Sequence, residues 1–213
     1  MFAEGSKNKF QHNPDGTTFI FIESKNKYFP GKHTIVIDTE DWDRVKEYSW
    51  CLLAGSRQRI LQWTPYAATG IPHPEGGWLM YANGKRRRRR TNLQLHHLIL
   101  GKPPKGMVTD HINHNGLDNR KENLRFATRS QNDQNRRSQV GSSSKYKGVC
   151  WHKAKGKWIS NIVIDGKRKI HIGYFTCEHQ AALAYNKKAI EFYGEFANLN
   201  VVPEEYVLKY NNV

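Results

Sequence analysis

Residues 110–132 read Asp110-His111-Ile112-Asn113-His114-Asn115-Gly116-Leu117-Asp118-Asn119-Arg120-Lys121-Glu122-Asn123-Leu124-Arg125-Phe126-Ala127-Thr128-Arg129-Ser130-Gln131-Asn132. A carboxylate and an imidazole stand side by side at the start. Asn123 follows, and Asn132 closes the stretch. Asp, His and Asn are the side chains needed to hold one hard divalent cation and to activate one water. The local signals agree with that chemistry. Met107-Val108-Thr109 predicts a strand that delivers Asp110 and His111. Asn115-Gly116 predicts a turn, and Asn119 and Asn123 are suited to capping loop backbone with their side chains. Leu124-Arg125-Phe126 predicts a second strand. Thr128, followed three residues later by Gln131, is a capping box that opens a helix. Asn132 then falls in the first turns of that helix, able to point back at Asp110.

Upstream, Thr91 to Leu95 alternates like a strand and His96 to Leu100 predicts a short helix. Lys85 to Arg90 is a run of six cations. It reads as a solvated strand or loop, or as a phosphate-contacting segment with Arg86, Arg88 and Arg90 as candidates. Asn83-Gly84 before it is a hairpin signal. Strand-like pieces lie at Arg59–Trp63, Tyr66–Ala68 and Trp78–Tyr81, broken by Gly70, Pro72, Pro74, Gly76 and Gly77. Nearer the N-terminus, Phe19–Ile22 and His33–Ile37 predict strands. Thr39 predicts an N-cap, with Trp42, Val45 and Ser49 on one face of the helix that follows. The acidic residues Asp38, Glu40, Asp41 and Asp43 read as helix-start charges rather than as a metal cluster.

The chain has 213 residues, with 34 Lys and Arg against 19 Asp and Glu. The isoelectric point near 9.8 favours a polyanionic partner. Charge alone does not choose DNA over RNA. The three cysteines form no C-x-x-C pair, so neither a disulfide framework nor a zinc knuckle is expected. No apolar run approaches a membrane span and the N-terminus has no signal-peptide pattern, so a soluble intracellular protein with no membrane partner is expected.

Gln139 to Ser144 reads as a flexible linker. Beyond it the pattern is strand, strand, strand, helix: Tyr146–Trp151, Lys157–Ile164 and Lys169–Gly173, with turns at Gly156-Lys157 and Asp165-Gly166. Thr176 is the expected helix cap. Ala182, Tyr185, Ala189 and Phe192 recur at helical spacing, and Gly194 ends the helix. The helix is expected to cover one sheet face and leave the other free.

The spacing of His111, Asn123 and Asn132 resembles the HNH, or ββα-metal, nucleases of phage and intron type, as does Leu95-His96-His97-Leu98 upstream. His97 stands where that pattern has Arg. The resemblance implies that His111 ends a strand, Asn123 braces the loop and Asn132 ligates metal from the helix. His96 would touch the scissile phosphate, buttress the metal site or serve as a packed structural histidine. The C-terminal pieces Tyr146-Lys147-Gly148-Val149, Lys157-Trp158-Ile159-Ser160-Asn161-Ile162, Ile172-Gly173-Tyr174-Phe175 and Ala197-Asn198-Leu199-Asn200 resemble the DNA-binding domain of plant ethylene-response factors. That resemblance suggests Lys147, His152, Asn161, Lys169 and His171 as DNA contacts. Cys150 and Val163 stand where the plant domains place DNA-reaching arginines, so a target sequence does not carry over.

The expected fold is α+β: a β-rich region over 1–90, an HNH motif over 91–138, and a linker over 139–145. A three-stranded antiparallel sheet packed on one helix over 146–200 and a tail over 201–213 complete it. The expected function is a metal-dependent endonuclease acting on double-stranded DNA, a homing endonuclease of a bacterial or phage-infected cell. Asp110 and Asn132 would hold one Mg²⁺ (or Mn²⁺) per active site, since oxygen donors without thiolates suit these ions. His111 would accept a proton from the attacking water. The alternatives are a non-catalytic DNA-binding regulator on a nuclease scaffold and an RNA-binding protein.

Overall fold

Period-2 alternation in the first third of the chain drives sheet formation. In the computed structural model, which describes residues 8–53, 65–138 and 141–211, β1 (Lys9–His12), β2 (Thr17–Ser24) and β3 (Gly31–Asp38) form an antiparallel meander. Ile20 and Ile22 of β2 and Ile35 and Ile37 of β3 turn to one side and are buried. The cluster they found takes in Val45, Trp50, Ala67, Leu95, Ile99, Leu117 and Leu124.

After β3 the chain makes a 3-10 turn over Thr39–Asp41 and a short α1 (Trp42–Val45). Thr39 is not the cap. Its hydroxyl is engaged with that of Thr18 at 2.8 Å, and Asp38 takes the N-cap position. The helix stops at Val45, so Ser49 lies beyond it. The acidic residues here serve as ties rather than as a cluster. Asp38 accepts the backbone N–H of Lys121 at 2.7 Å, Glu40 pairs with the Lys121 ammonium, and Asp41 pairs with Arg44.

A second sheet has the order β4 (Cys51–Leu53), β5 (Tyr66–Pro72) and a later strand given below. The expected strand at Arg59–Trp63 lies outside the described residues. Gly70 and Pro72 do not break β5. Arg90 lies against Gly70 where a side chain would stand, and Pro72 occupies the last position, where strands tolerate it. Next come β6 (Trp78–Met80) and β7 (Arg86–Arg88), a separate two-stranded ribbon. Its Asn83-Gly84 signal is realised in a three-residue loop over 82–84, where Gly84 alone has positive φ, +75°. Then β8 (Arg90–Gln94) completes the second sheet, and α2 (Leu95–Leu100) buries Leu95, His96 and Ile99.

Paired strands β9 (Met107–His111) and β10 (Leu124–Thr128) follow, and β10 leads into α3 (Arg129–Asn135). The predicted capping box is present. Thr128 Oγ1 accepts from Gln131 N–H at 3.2 Å, and Gln131 Oε1 accepts from Thr128 N–H at 2.8 Å. The chain divides into two compact units, Met1–Phe126 and Ala127–Val213, and the boundary falls within β10.

In the second unit β11 (Val149–His152), β12 (Lys157–Ile164) and β13 (Arg168–Phe175) form an antiparallel sheet under α4 (Glu178–Tyr193), with α5 (Glu204–Asn211) after it. The first strand starts at Val149 rather than Tyr146, because Gly148 has φ +75° and turns the chain before the ladder begins. Asp165 and Gly166, at φ +54° and +68°, make the expected tight hairpin. Thr176 is not the helix cap. With β13 running to Phe175 and its ring packed beside Tyr146 and Val149, the helix starts later, and Cys177 holds the cap position. Ala182, Tyr185 and Ala189 are buried as the periodicity implies, but Tyr193 takes the next inward step and Phe192 faces out.

A Cβ at Gly148 would stand 2.2 Å from the Tyr185 ring and 2.6 Å from the Asn161 carbonyl oxygen. With its positive φ, Gly148→Ala combines overpacking with backbone strain. It should cost about 2–4 kcal/mol, read as a lowered urea midpoint with unchanged slope. A midpoint equal to that of the wild type would contradict this packing.

Candidate active site

The loop over 112–123 carries no ladder of its own, so side chains hold it. Asn123 Oδ1 accepts the backbone N–H of Asn113 at 2.9 Å, and its Nδ2 donates to the Asp118 carbonyl at 2.7 Å. Asn113 Nδ2 donates to Asp118 Oδ2 at 2.7 Å. Arg120 forks onto the same carboxylate at 2.8 and 2.9 Å. That ion pair keeps the Asp118 carboxyl below its usual range although burial pushes the other way. Backbone bonds from Val36 N–H to Leu117 O (2.9 Å) and from Asn119 N–H to Val36 O (2.8 Å) stitch the loop to β3. Gly116 is required by close approach. A Cβ there would lie 2.6 Å from the Pro65 carbonyl oxygen and 2.8 Å from the Tyr66 ring.

This scaffold ends β9 with Asp110 and His111, only 4% and 5% exposed. The His111 ring lies 5.2 Å from that of His96 and 5.5 Å from that of Tyr66, and Tyr66 is also 5.5 Å from His96. Sequence reasoning missed Tyr66. It sat in a strand-like piece with no motif around it, and only the fold brings it to the two histidines. Asn119 was expected to cap backbone. It does so loosely, toward Gly116 O, while its Oδ1 also faces His111 Nε2 at 3.5 Å. An amide oxygen only accepts, so this contact is satisfied by the tautomer that carries its proton on Nε2. Burial lowers the His111 pKa, and the opposing pull of Asn119, Asp110 and Asp118 is smaller. The imidazole is therefore held in its neutral form near pH 7.

Asp110 Oδ2 accepts from Arg125 Nε at 3.0 Å in a little-exposed ion pair. A carboxylate is an acceptor-only oxygen donor suited to a hard cation. Among the described residues no group of three His, Cys, Asp or Glu side chains is arranged to hold a metal ion. The Asp110 carboxylate fits a divalent cation that is held by one or two protein oxygens and fills the rest of its shell with water and phosphate. Asn123 bonds across the loop, to the Asn113 N–H and the Asp118 carbonyl, and makes neither of these bonds to the imidazole. Asn132 lies on α3, in the second unit.

The chain matches a family model described as HNH endonuclease over residues 90–134. It is 32% identical over 191 residues to a protein of Acanthamoeba polyphaga mimivirus named as an uncharacterized HNH endonuclease, covering 87% of each chain. The chain belongs to the HNH endonuclease family. Partial likenesses accompany this one. Protein 3.8 of Escherichia phage T7 is 32% identical over 79 residues, 37% of this chain and 65% of the phage protein. An AP2-like ethylene-responsive transcription factor of Arabidopsis thaliana is 38% identical over 71 residues, 33% of this chain and 14% of the plant protein.

In this HNH endonuclease the side chains expected to contact DNA are not all presented alike. On the C-terminal sheet His152 and His171 flank Tyr174, with ring centroids 5.6 and 4.6 Å away. Lys155 sits over the same ring at 3.9 Å. Asn161 is nearly buried and faces His171 at 3.4 Å, whereas Lys169 is exposed. A bulge between Ser160 and Asn161 resets the alternation there. The Lys147 ammonium is directed to the Gln134 carbonyl, and burial lowers its pKa to about 8. Arg86 and Arg88 are exposed, while Arg90 is turned to the Gly70 carbonyl. No helix among the described residues is long and apolar enough to cross a membrane.

His96 is buried, and its Nδ1 has no hydrogen-bond partner among the described residues. Burial, then the neighbouring His111 and His97, lower its pKa to about 3. The folded protein thus binds fewer protons than the unfolded chain between about pH 6.5 and 3. The stability linked to His96 is complete above pH 6.5 and is lost as pH falls toward 3. Replacing His96 with Phe should flatten that acid limb, measured as urea midpoint against pH from 7 to 4. An unchanged limb would contradict the assignment.

Proposed function

We propose that this HNH endonuclease hydrolyses phosphodiester bonds of duplex DNA with one divalent metal, Mg²⁺ or Mn²⁺, and acts as a homing endonuclease of a bacterial or phage-infected cell. The observation that carries the reading is His111: a buried imidazole kept neutral at the end of β9, next to Asp110, on a loop clamped by Asn123. His111 accepts a proton from the water that attacks phosphorus, and the imidazolium formed is stabilised by the carboxylates of Asp110 and Asp118. Asn123 holds the backbone that aims it. Asp110 and Asn132 would hold the metal, which when bound supplies positive charge at the scissile phosphate and at the 3′ leaving oxygen. His96, uncharged at neutral pH, serves the site by packing against His111 rather than by supplying positive charge. Residues 91–138 carry the chemistry in this reading. Residues 146–200 supply DNA affinity through His152, Asn161, Lys169 and His171, and 139–145 join the two. One site per chain cuts one strand.

A second reading, a non-catalytic DNA-binding regulator, draws on one observation: Arg125 occupies Asp110 as a cation would. Cleavage of supercoiled plasmid separates the two. The proposal expects nicked or linear product with Mg²⁺, none with EDTA, and a rate about 10²–10⁴-fold lower for His111→Ala. Circular dichroism should show that the variant is folded. Tight duplex binding with no cleavage in Mg²⁺ or Mn²⁺ on plasmid and phage DNA would favour the regulator.

A further inference from the structure

Among the described residues the ribbon of β6 and β7 has no third strand. Its apolar side chains are nevertheless outside. Trp78, Leu79 and Tyr81 are each 49% exposed and Met80 is 68% exposed. Contiguous exposed apolar surface of this kind marks a place of interaction. Three arginines run along the partner strand. The register pairs Trp78 with Arg88, Leu79 with Arg87 and Met80 with Arg86. Directly opposed residues share a face. One face therefore carries Trp78, Met80, Arg86 and Arg88, and the other Leu79 and Arg87.

The guanidinium carbons of Arg86 and Arg88 lie 4.8 and 5.6 Å from the centre of the Trp78 ring. Stacking of this kind fixes the planar fork while leaving its N–H edge to meet a partner. The rest of the basic run is used internally. Arg89 is held by Glu75 at 3.8 Å and His73 at 3.5 Å, and Arg90 by Gly70. Residues 86–88 are thus outward, while 89 and 90, though partly or fully exposed, have partners in the chain at the ribbon's base.

We propose that this ribbon enters the major groove of duplex DNA. The proposal rests on the reading of the substrate as duplex DNA. A two-stranded ribbon fits that groove, whose width is about 12 Å. Guanidinium forks there meet guanine edges and flanking phosphates, and Trp78 and Met80 meet thymine methyls. Positive charge on every rung of β7 disfavours a second copy of the chain and suits a polyanion.

The test uses the full-length protein in EDTA, so that binding is read without cleavage, with a fluorescein-labelled 40-bp duplex of mixed sequence. The double variant Arg86→Gln/Arg88→Gln should bind at least 10-fold more weakly at 150 mM salt. Its slope of log K against log salt should fall by about 2. Trp78→Ala/Met80→Ser should weaken binding with the slope kept. Methyl green, which fills the major groove, should compete with the wild type, whereas netropsin in the minor groove should not. Wild-type affinity and slope in both variants would overturn the proposal. So would variants that alter only the sedimentation of the free chain, since a second copy would then be what covers the ribbon. A protein that binds through the ribbon but never cuts would defeat the function above and leave the ribbon standing.

Discussion

The amide of Asn123 is the constraint on which the site depends. The loop over 112–123 contributes backbone to no sheet interior, and its polar groups need partners. One side chain at its last residue ties down its start and its middle: it takes the Asn113 N–H and gives to the Asp118 carbonyl. With the Asp118–Arg120 pair and the two backbone bonds to Val36, the loop becomes as determined as a strand. His111 sits at the edge of that frame. Its ring is in contact with Asn119, His96 and Tyr66. Preorganisation of this kind is what the proposed role of general base calls for, because the ring would meet the water already ordered.

Burial then decides the charge of both histidines, against the nearby carboxylates at His111 and together with the neighbouring imidazoles at His96. The imidazole pair His96 and His111 is nearly sealed from solvent, so protonating either is costly. The acidic groups nearby are paired with arginines: Asp110 with Arg125 and Asp118 with Arg120. The carboxylates of the cluster are thereby compensated. In the second unit the helix α3 is fastened within that unit through the Gln134 carbonyl to Lys147 and the Arg136 carbonyl to Asn198. Lys147, which resemblance places among DNA contacts, has its ammonium committed to that fastening.

Much of this was legible in the sequence, for physical reasons. The strand–loop–strand–helix order over 107–135 and its capping box are local, set by turn residues and by one hydroxyl–amide pair. The Asp165-Gly166 hairpin is local too, because two positive-φ positions need those residues. What the sequence did not reveal depends on distant partners. Thr39 has the chemistry of a cap, but Thr18, a neighbour across the sheet, takes its hydroxyl. Phe192 and Tyr193 both fit a helical stripe, and the choice is made by the Val163 carbonyl, which accepts the Tyr193 hydroxyl at 2.5 Å. Tyr66 reaches the histidines only because β5 lies beside β8, and Arg90 leaves the cationic run only because Gly70 faces it.

The central claim, that the Asn123 clamp aims His111 for chemistry, is tested most directly by single-turnover cleavage with Asn123→Ala at saturating enzyme. Duplex affinity in EDTA is measured on the same preparation. The account predicts a rate about 10–100-fold lower, with affinity and cooperative unfolding retained. A rate equal to the wild type, or a loss fully explained by weaker binding, would contradict it.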